Sequence, residues 1–198
     1  MQKNHIHPIA TKISAADRSE LLGQQPLLIW LTGLSGSGKS TLAVRLERQL
    51  YEKGFKTFLL DGDNFRHDLN QDLSFSEADR KENLRRVSAV AKLMLEAGLI
   101  VVASFIAPYR EERAKIKAKV GEMQFMEVFV DCPVEVCEER DVKGLYAKAR
   151  KGEIKNFTGI NAPYEAPQNP DVYVATHQET PEQSLSSILE AFERRIEH

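Results

Sequence analysis

The sequence predicts an α/β domain of three layers, a parallel β-sheet covered by helices on both faces. Three observations predict it. Gly33-Leu34-Ser35-Gly36-Ser37-Gly38-Lys39-Ser40 has the spacing of a phosphate-binding loop, glycine at its first and sixth positions, then lysine and a hydroxyl. Short apolar runs alternate with helical patterns along the rest of the chain, the rhythm of βα units. At 198 residues the chain is long enough for one well-cored domain and short for two.

Each element follows in order. Residues 1–24 read as a mobile or packing N-terminal arm, and 25–198 as the domain. Leu27-Leu28-Ile29-Trp30-Leu31 is a buried parallel strand feeding the loop. Leu42, Leu46 and Leu50 recur every four residues, the stripe of a helix opening at Lys39. Its N-terminus turns a dipole and free N–H groups toward the phosphates. Lys39 is placed to reach the outer phosphates and the Ser40 hydroxyl to sit on Mg²⁺. Such a loop binds a nucleoside triphosphate, and the domain is of P-loop NTPase type.

Further strands are predicted at 57–60 before Asp61, 100–103 before Ser104, 125–130 before Asp131, and 172–174. Helices are predicted over about 76–96 and 109–120. The last helix opens with Thr180 as cap, Pro181 in its first turn and Gln183 closing a capping box. Leu185, Ile188, Leu189, Phe192 and Ile196 line its apolar face. Ligands of such sheets gather beyond the carboxyl ends of the strands, so the loop, Asp61, Asp63 and Ser104 are expected on one rim.

Composition narrows the function classes. A net charge of −2 and a pI near 6.2 give no global field for nucleic acid. No apolar run approaches the ~20 residues of a membrane helix, and the first residues lack the apolar core of a secretory signal. Cys132 and Cys137 have no partners for a disulfide framework or zinc site, and read as small buried thiols. The expected address is cytoplasmic. His5, His7, His67, His177 and His198 have no ligand spacing.

Three constellations bear on the acceptor. Asp61-Gly62-Asp63 ends a strand, where one carboxylate can serve the metal side and one the attacking hydroxyl; as a bare tripeptide it is equally an ordinary turn. Arg66, Arg80, Arg85 and Arg86 surround Asn83. Arg80 and Asn83 share one face of a helix start, where an anionic ligand would offset cationic charge against the dipole. Arg85 and Arg86 read rather as a solvated face with Glu77, Asp79 and Glu82 as partners. The basic stretch 140–152, with Gly144 and Gly152 as hinges and Phe157-Thr158-Gly159-Ile160 beyond it, suits a mobile lid over about 140–165. Phe75 and Phe157 are core aromatics or base-stacking rings, and spacing alone leaves both open.

These residues resemble the adenylyl-sulfate kinase (APS kinase) family. The matching blocks are 33–41, Asp61-Gly62-Asp63-Asn64-Phe65-Arg66-His67, 75–86, 104–110, 130–133, Lys143-Gly144-Leu145-Tyr146 and 157–160, in unbroken order. The resemblance implies transfer of the ATP γ-phosphoryl to the ribose 3′-hydroxyl of adenosine 5′-phosphosulfate (APS), giving PAPS and ADP. It implies that Gly33, Leu34, Ser35, Gly36, Ser37, Gly38, Lys39, Ser40 and Thr41 wrap ATP, with Arg140 against its adenine. Lys39, Asp61, Asp63 and Lys143 are the implied catalytic set. Within it Asp63 orients or deprotonates the 3′-hydroxyl, while Ser40 and Asp61 face Mg²⁺ directly or through water. Arg66, Arg80 and Asn83 are the implied holders of phosphosulfate and ribose, and Phe75 and Phe157 the two faces of an adenine sandwich. Ile106, Lys143, Gly144, Leu145, Thr158 and Gly159 complete the APS contacts. A homodimer, and APS supply from a separate sulfurylase, are implied as well.

Three positions depart from the commonest family pattern. Phe65 and Asp68 replace smaller residues. Ala107 stands where many members carry a phosphorylatable serine, so direct in-line transfer is expected here. Two rivals remain: another small-molecule kinase acting on a nucleoside, gluconate or shikimate, and a nucleotide-binding regulatory domain that has lost catalysis.

Overall fold

The computed structural model describes residues 11–196; His5, His7, His198 and the first ten residues of the predicted arm lie outside them. Five strands, β1 (Leu28–Thr32), β2 (Thr57–Asp61), β3 (Ile100–Ser104), β4 (Phe125–Asp131) and β5 (Val172–Ala175), form one sheet in the order β2-β3-β1-β4-β5. Every pairing is parallel, with Asp61 in register with Ser104, and Leu31 with Ser104. Hence Asp61, Ser104 and the loop leaving β1 share the carboxyl rim that the sequence predicts.

The helices are α1 (Ala15–Leu22), α2 (Lys39–Glu52), α3 (Gly62–His67), α4 (Glu77–Glu96), α5 (Arg110–Val120), α6 (Val134–Arg140), α7 (Leu145–Arg150) and α8 (Pro181–Ile196). Side chains alternate across the pleat, so each strand serves two cores. On one face Ile29, Leu31, Val128, Val130 and Val174 meet Leu42, Leu46 and Leu50 of α2, and Leu185, Ile188 and Phe192 of α8. On the other, Leu28, Trp30, Val101 and Ala103 meet Leu84, Val87, Ala91 and Leu95 of α4, and Ile116 and Val120 of α5. Burying each such side chain stabilises the fold by about 1.5–3 kcal/mol.

Two long helices, α4 and α8, are capped by side chains, α8 by the pair the sequence marks. Ser76 Oγ accepts from Asp79 N at 3.1 Å, and Thr180 and Gln183 close a reciprocal box at 3.2 and 2.8 Å. Inside the predicted arm lies α1, which the sequence analysis did not mark. Ser14 and Asp17 cap it reciprocally, and Arg18 donates to Glu96 O at the end of α4. Gln24, just beyond, donates to Lys56 O and Gly98 O and accepts from Lys56 N, tying the arm's root to the start of β2. Among the described residues no helix is long and apolar enough to cross a membrane.

Candidate functional site

The loop between β1 and α2 is shaped by close backbone approaches. At Gly33, φ is +153° and a Cβ would stand 2.3 Å from Val130 O; at Gly36, φ is +77° and a Cβ would stand 2.9 Å from Cys137 O. Neither neighbour is a side chain that can swing away, so these positions require glycine. The cap of α2 is Gly38 with no side-chain acceptor, which leaves the first amides of the helix open for an anion.

Lys39 is 8% exposed, and its ammonium donates to Leu34 O at 2.6 Å. Burial pulls its pKa down to about 8, reinforced by the nearby Lys143 charge and opposed by Cys137, Asp61 and Asp63. A cation buried against its own loop is poised to gain from a polyphosphate.

The carboxylates stand beside it. Asp61 ends β2 and caps α3, its Oδ1 accepting from Asp63 N at 3.0 Å while its Oδ2 accepts from Ser40 Oγ at 2.8 Å. Ser104 Oγ lies 3.4 Å from Ser40 Oγ. A hydroxyl and a carboxylate at this spacing are hard oxygen donors, the set that suits Mg²⁺ shared with phosphates and water. Asp63, one turn on, is ion-paired with Lys143.

Two arginines mark the other side of the rim. Arg66 donates to Ser74 O at 3.0 Å, and its guanidinium lies 4.4 Å from the Phe75 ring centre. Arg80 donates to Thr158 Oγ1 at 2.9 Å, to Phe75 O at 3.1 Å and to Asn156 O. Burial lowers the pKa of both guanidiniums, the Arg80 charge adding to the effect at Arg66. Asn83 is buried, its Oδ1 accepting from Asn70 Nδ2 at 2.8 Å. Arg85 and Arg86 pair with Glu82, and Arg86 also with Asp72, as a charged outer face.

The 140–165 segment packs against the rim. Arg140 Nη2 donates to Thr176 O at 2.8 Å, and Thr176 Oγ1 donates to Ser37 O at 2.7 Å, so Arg140 lies over the phosphate loop. Tyr146 OH donates to Ser35 O at 2.8 Å, and Tyr146 meets Phe157 edge-to-face at 4.9 Å. Phe157 is therefore a buried ring here, 8% exposed, whereas Phe75 is 60% exposed. An open cavity of about 590 Å³ lies between Leu34 and residues 159–164, Gly159 and Tyr164 included. Ile106, on the loop after β3, has its carbonyl held by Thr32 Oγ1 at 2.6 Å. Gly144 caps α7 at φ +64°, and Leu145 is the first residue of that helix.

Sequence reasoning did not single out Thr32, Tyr164 or Thr176. Thr32 and Thr176 stand at the carboxyl ends of β1 and β5, so the strand-end rule was the available signal. Tyr164 had none.

The family model for adenylylsulphate kinase matches residues 25–175. The adenylyl-sulfate kinase of Clostridium acetobutylicum is 53% identical over 180 residues, 91% of this chain and 90% of that one. That of Bacteroides thetaiotaomicron is 51% identical over 197 residues, 99% and 98% of the two chains. Among solved structures, the Mycobacterium tuberculosis APS kinase in complex with AMPPNP and APS aligns with a TM-score of 0.81 at 48% identity, covering 86% of this chain and 99% of that one. A Sinorhizobium meliloti gluconokinase, at 18% identity and a TM-score of 0.59, shares the fold alone. Likeness of that depth, running through the loop, both carboxylates and the 140–165 segment, places the chain in the adenylylsulphate kinase family.

Proposed function

We infer that this protein is an adenylyl-sulfate kinase that phosphorylates the 3′-hydroxyl of APS with MgATP, and that the residues described above carry the reaction. The observation that carries the reading is the rim itself. Lys39, Ser40, Asp61 and Asp63 meet in one cluster, with the arginines Arg66 and Arg80 on the acceptor side.

Phosphoryl transfer asks for positioning and charge stabilisation more than for covalent chemistry. Residues 33–41 wrap the ATP phosphates and Lys39 neutralises charge on their outer oxygens, while Arg140 borders the adenine. Ser40 and Asp61 would hold Mg²⁺, which would supply positive charge to the transferring phosphoryl. Arg66, Arg80 and Asn83 hold the acceptor's phosphosulfate and ribose, with Ile106, Thr158 and Gly159 lining its place. Phe75 and Phe157 take the two faces of its adenine once Phe157 leaves Tyr146. Asp63 accepts the hydroxyl proton. The 3′-oxygen forms its bond to the γ-phosphorus as the bond to the β,γ-bridging oxygen breaks, and ADP leaves with that electron pair.

Residues 140–165 act as the lid in this reading, and 25–198 as the kinase domain with 1–24 as its arm. The Lys143–Asp63 ion pair supports it, because the lid's charge already reaches the acceptor carboxylate. Lys143, Gly144 and Leu145 then close over the substrates and exclude water. The free, buried Cys132 and Cys137 support a cytoplasmic address, where thiols stay reduced. A homodimer, and a separate sulfurylase making APS, complete the picture.

Product analysis tests the assignment. With MgATP and APS the enzyme is expected to yield a nucleotide heavier by one phosphoryl group, with its ³¹P signal coupled to the ribose 3′-proton. An unchanged APS pool beside an active phosphoryl transfer to another alcohol would overturn it.

A further inference from the structure

Arg113 lies in the first turns of α5, outside the phosphate loop and the acceptor arginines, and is 3% exposed. A guanidinium so buried requires full pairing. Its Nε donates to Glu127 Oε1 on β4 at 2.8 Å, and its Nη1 and Nη2 donate to Ala107 O and Glu165 O, each at 2.7 Å. Glu127 is the counter-charge, although burial raises its pKa.

One carbonyl belongs to the loop after β3, which carries Ile106, and the other directly follows residues 159–164, which line the open cavity. Ala107 follows Ile106 and holds φ +42°, a left-handed conformation that a residue with a Cβ keeps only where its surroundings impose it. Glu165 follows Tyr164 at the exit of the lid. The segments are joined directly as well, Glu165 N donating to Pro108 O at 2.8 Å. On their far side Thr32 Oγ1 donates to Ile106 O at 2.6 Å, and Tyr164 OH lies 3.0 Å from the same hydroxyl. One buried charge thus grips the acceptor loop and the lid's root together.

We propose that Arg113 is a positioning residue for the acceptor: by fastening the Ala107 and Glu165 carbonyls in one planar fork, it sets the place of the Ile106 backbone and of the lid exit against APS, without touching APS itself. The proposal rests on the reading that the Ile106 backbone meets the acceptor. Only a guanidinium serves, since its fixed fork reaches carbonyls on two segments while also facing a carboxylate. A lysine ammonium keeps the Glu127 pair but cannot hold both carbonyls in that geometry. Arg113 bonds to no residue of 33–41, and the network reaches that loop only through Thr32, the residue before Gly33, so MgATP affinity should change far less.

The test is steady-state kinetics on Arg113→Lys, varying APS and MgATP separately. KM for APS should rise about tenfold, the worth of one lost charge-assisted bond, with KM for MgATP within about twofold. Arg113→Met should raise it further, and the lysine variant should stand as a partial rescue. A role confined to stability would lower Tm and the active fraction and leave both KM values in place, which overturns the proposal. Should Arg113→Lys fail to fold, Tyr164→Phe removes one hydroxyl from the same network and should raise KM for APS alone, by about threefold; an unchanged value overturns the proposal. Arg80→Ala is measured alongside. Loss of APS affinity there, without loss in the Arg113 or Tyr164 variant, sinks the positioning role alone; no loss in any of them sinks the acceptor-site reading with it.

Discussion

Arg80 Nη1 donates to Thr158 Oγ1 at 2.9 Å, joining the start of α4 to the 140–165 segment across 78 residues of chain. Its other nitrogens reach Phe75 O and Asn156 O, so the guanidinium stands where the start of α4 meets the 140–165 segment, the proposed acceptor side and lid. An incoming phosphosulfate would exchange neutral partners for a charged one, and hydrogen bonds between charged groups are the stronger. Arg80→Ala is therefore expected to weaken APS ten- to a hundredfold, from a bond worth ~1.5–3 kcal/mol, and MgATP far less. Calorimetric titration of both ligands checks this, and equal losses would move Arg80 out of the acceptor site.

Lys39→Ala should abolish measurable turnover with the fold intact. In the proposed role its ammonium faces charge that grows on the γ-phosphoryl in the transition state, where preorganised cations contribute most. Turnover above about a tenth of the wild-type kcat would contradict the role, given ~1.5–3 kcal/mol for one charge-assisted contact. Circular dichroism on the same sample confirms that the variant is folded.

The same lysine predicts a proton linkage. Burial holds its pKa at about 8, below the ordinary lysine value of 10.5. Phosphates favour the charged form and push that pKa back up. At pH 8.5 the lysine is largely neutral, so MgATP binding should take up a substantial fraction of a proton. At pH 6.5 it is already charged, and uptake through Lys39 should vanish. Calorimetry in two buffers of different ionisation heat measures the uptake, and Lys39→Met should lose it.

What could be read from sequence depended on how locally each feature is encoded. The Leu42, Leu46 and Leu50 stripe and the Thr180–Gln183 box lie within a few turns of one helix, and the structure has both. Helix α1 has no buried residue and hence no apolar stripe, although its Ser14 and Asp17 box was there to be seen. Helices α3, α6 and α7 span 6, 7 and 6 residues, too short for a helical period to repeat. In the site, Asp61, Asp63 and Ser104 were legible because they follow apolar strands. Arg113 and Tyr164 were not. Arg113 bonds to Ala107, Glu127 and Glu165, 6, 14 and 52 residues away, and Tyr164 to Thr32 across 132, and no sequence period marks such partners.

Ala107 bears on the kinetic mechanism. It is buried, with a methyl side chain that offers no oxygen to carry phosphate. Ser104, the neighbouring hydroxyl, is 3% exposed and faces Ser40. Direct transfer needs only an aligned 3′-hydroxyl, Asp63 and the cationic groups around the γ-phosphoryl. The enzyme should be active through a ternary complex with no covalent phosphate. After incubation with labelled ATP and denaturation, intact mass should show unmodified protein; stoichiometric, chaseable label on Ser104 or elsewhere would overturn this.

The rim formed by Lys39, Ser40, Asp61 and Asp63 is proposed to transfer phosphoryl from ATP to APS and to no smaller alcohol. A coupled assay of ADP release, run with MgATP alone and then with APS, gluconate or shikimate, tests it most directly. Release should begin only when APS is added. Release at an equal rate without acceptor, or with gluconate or shikimate in place of APS, would contradict it.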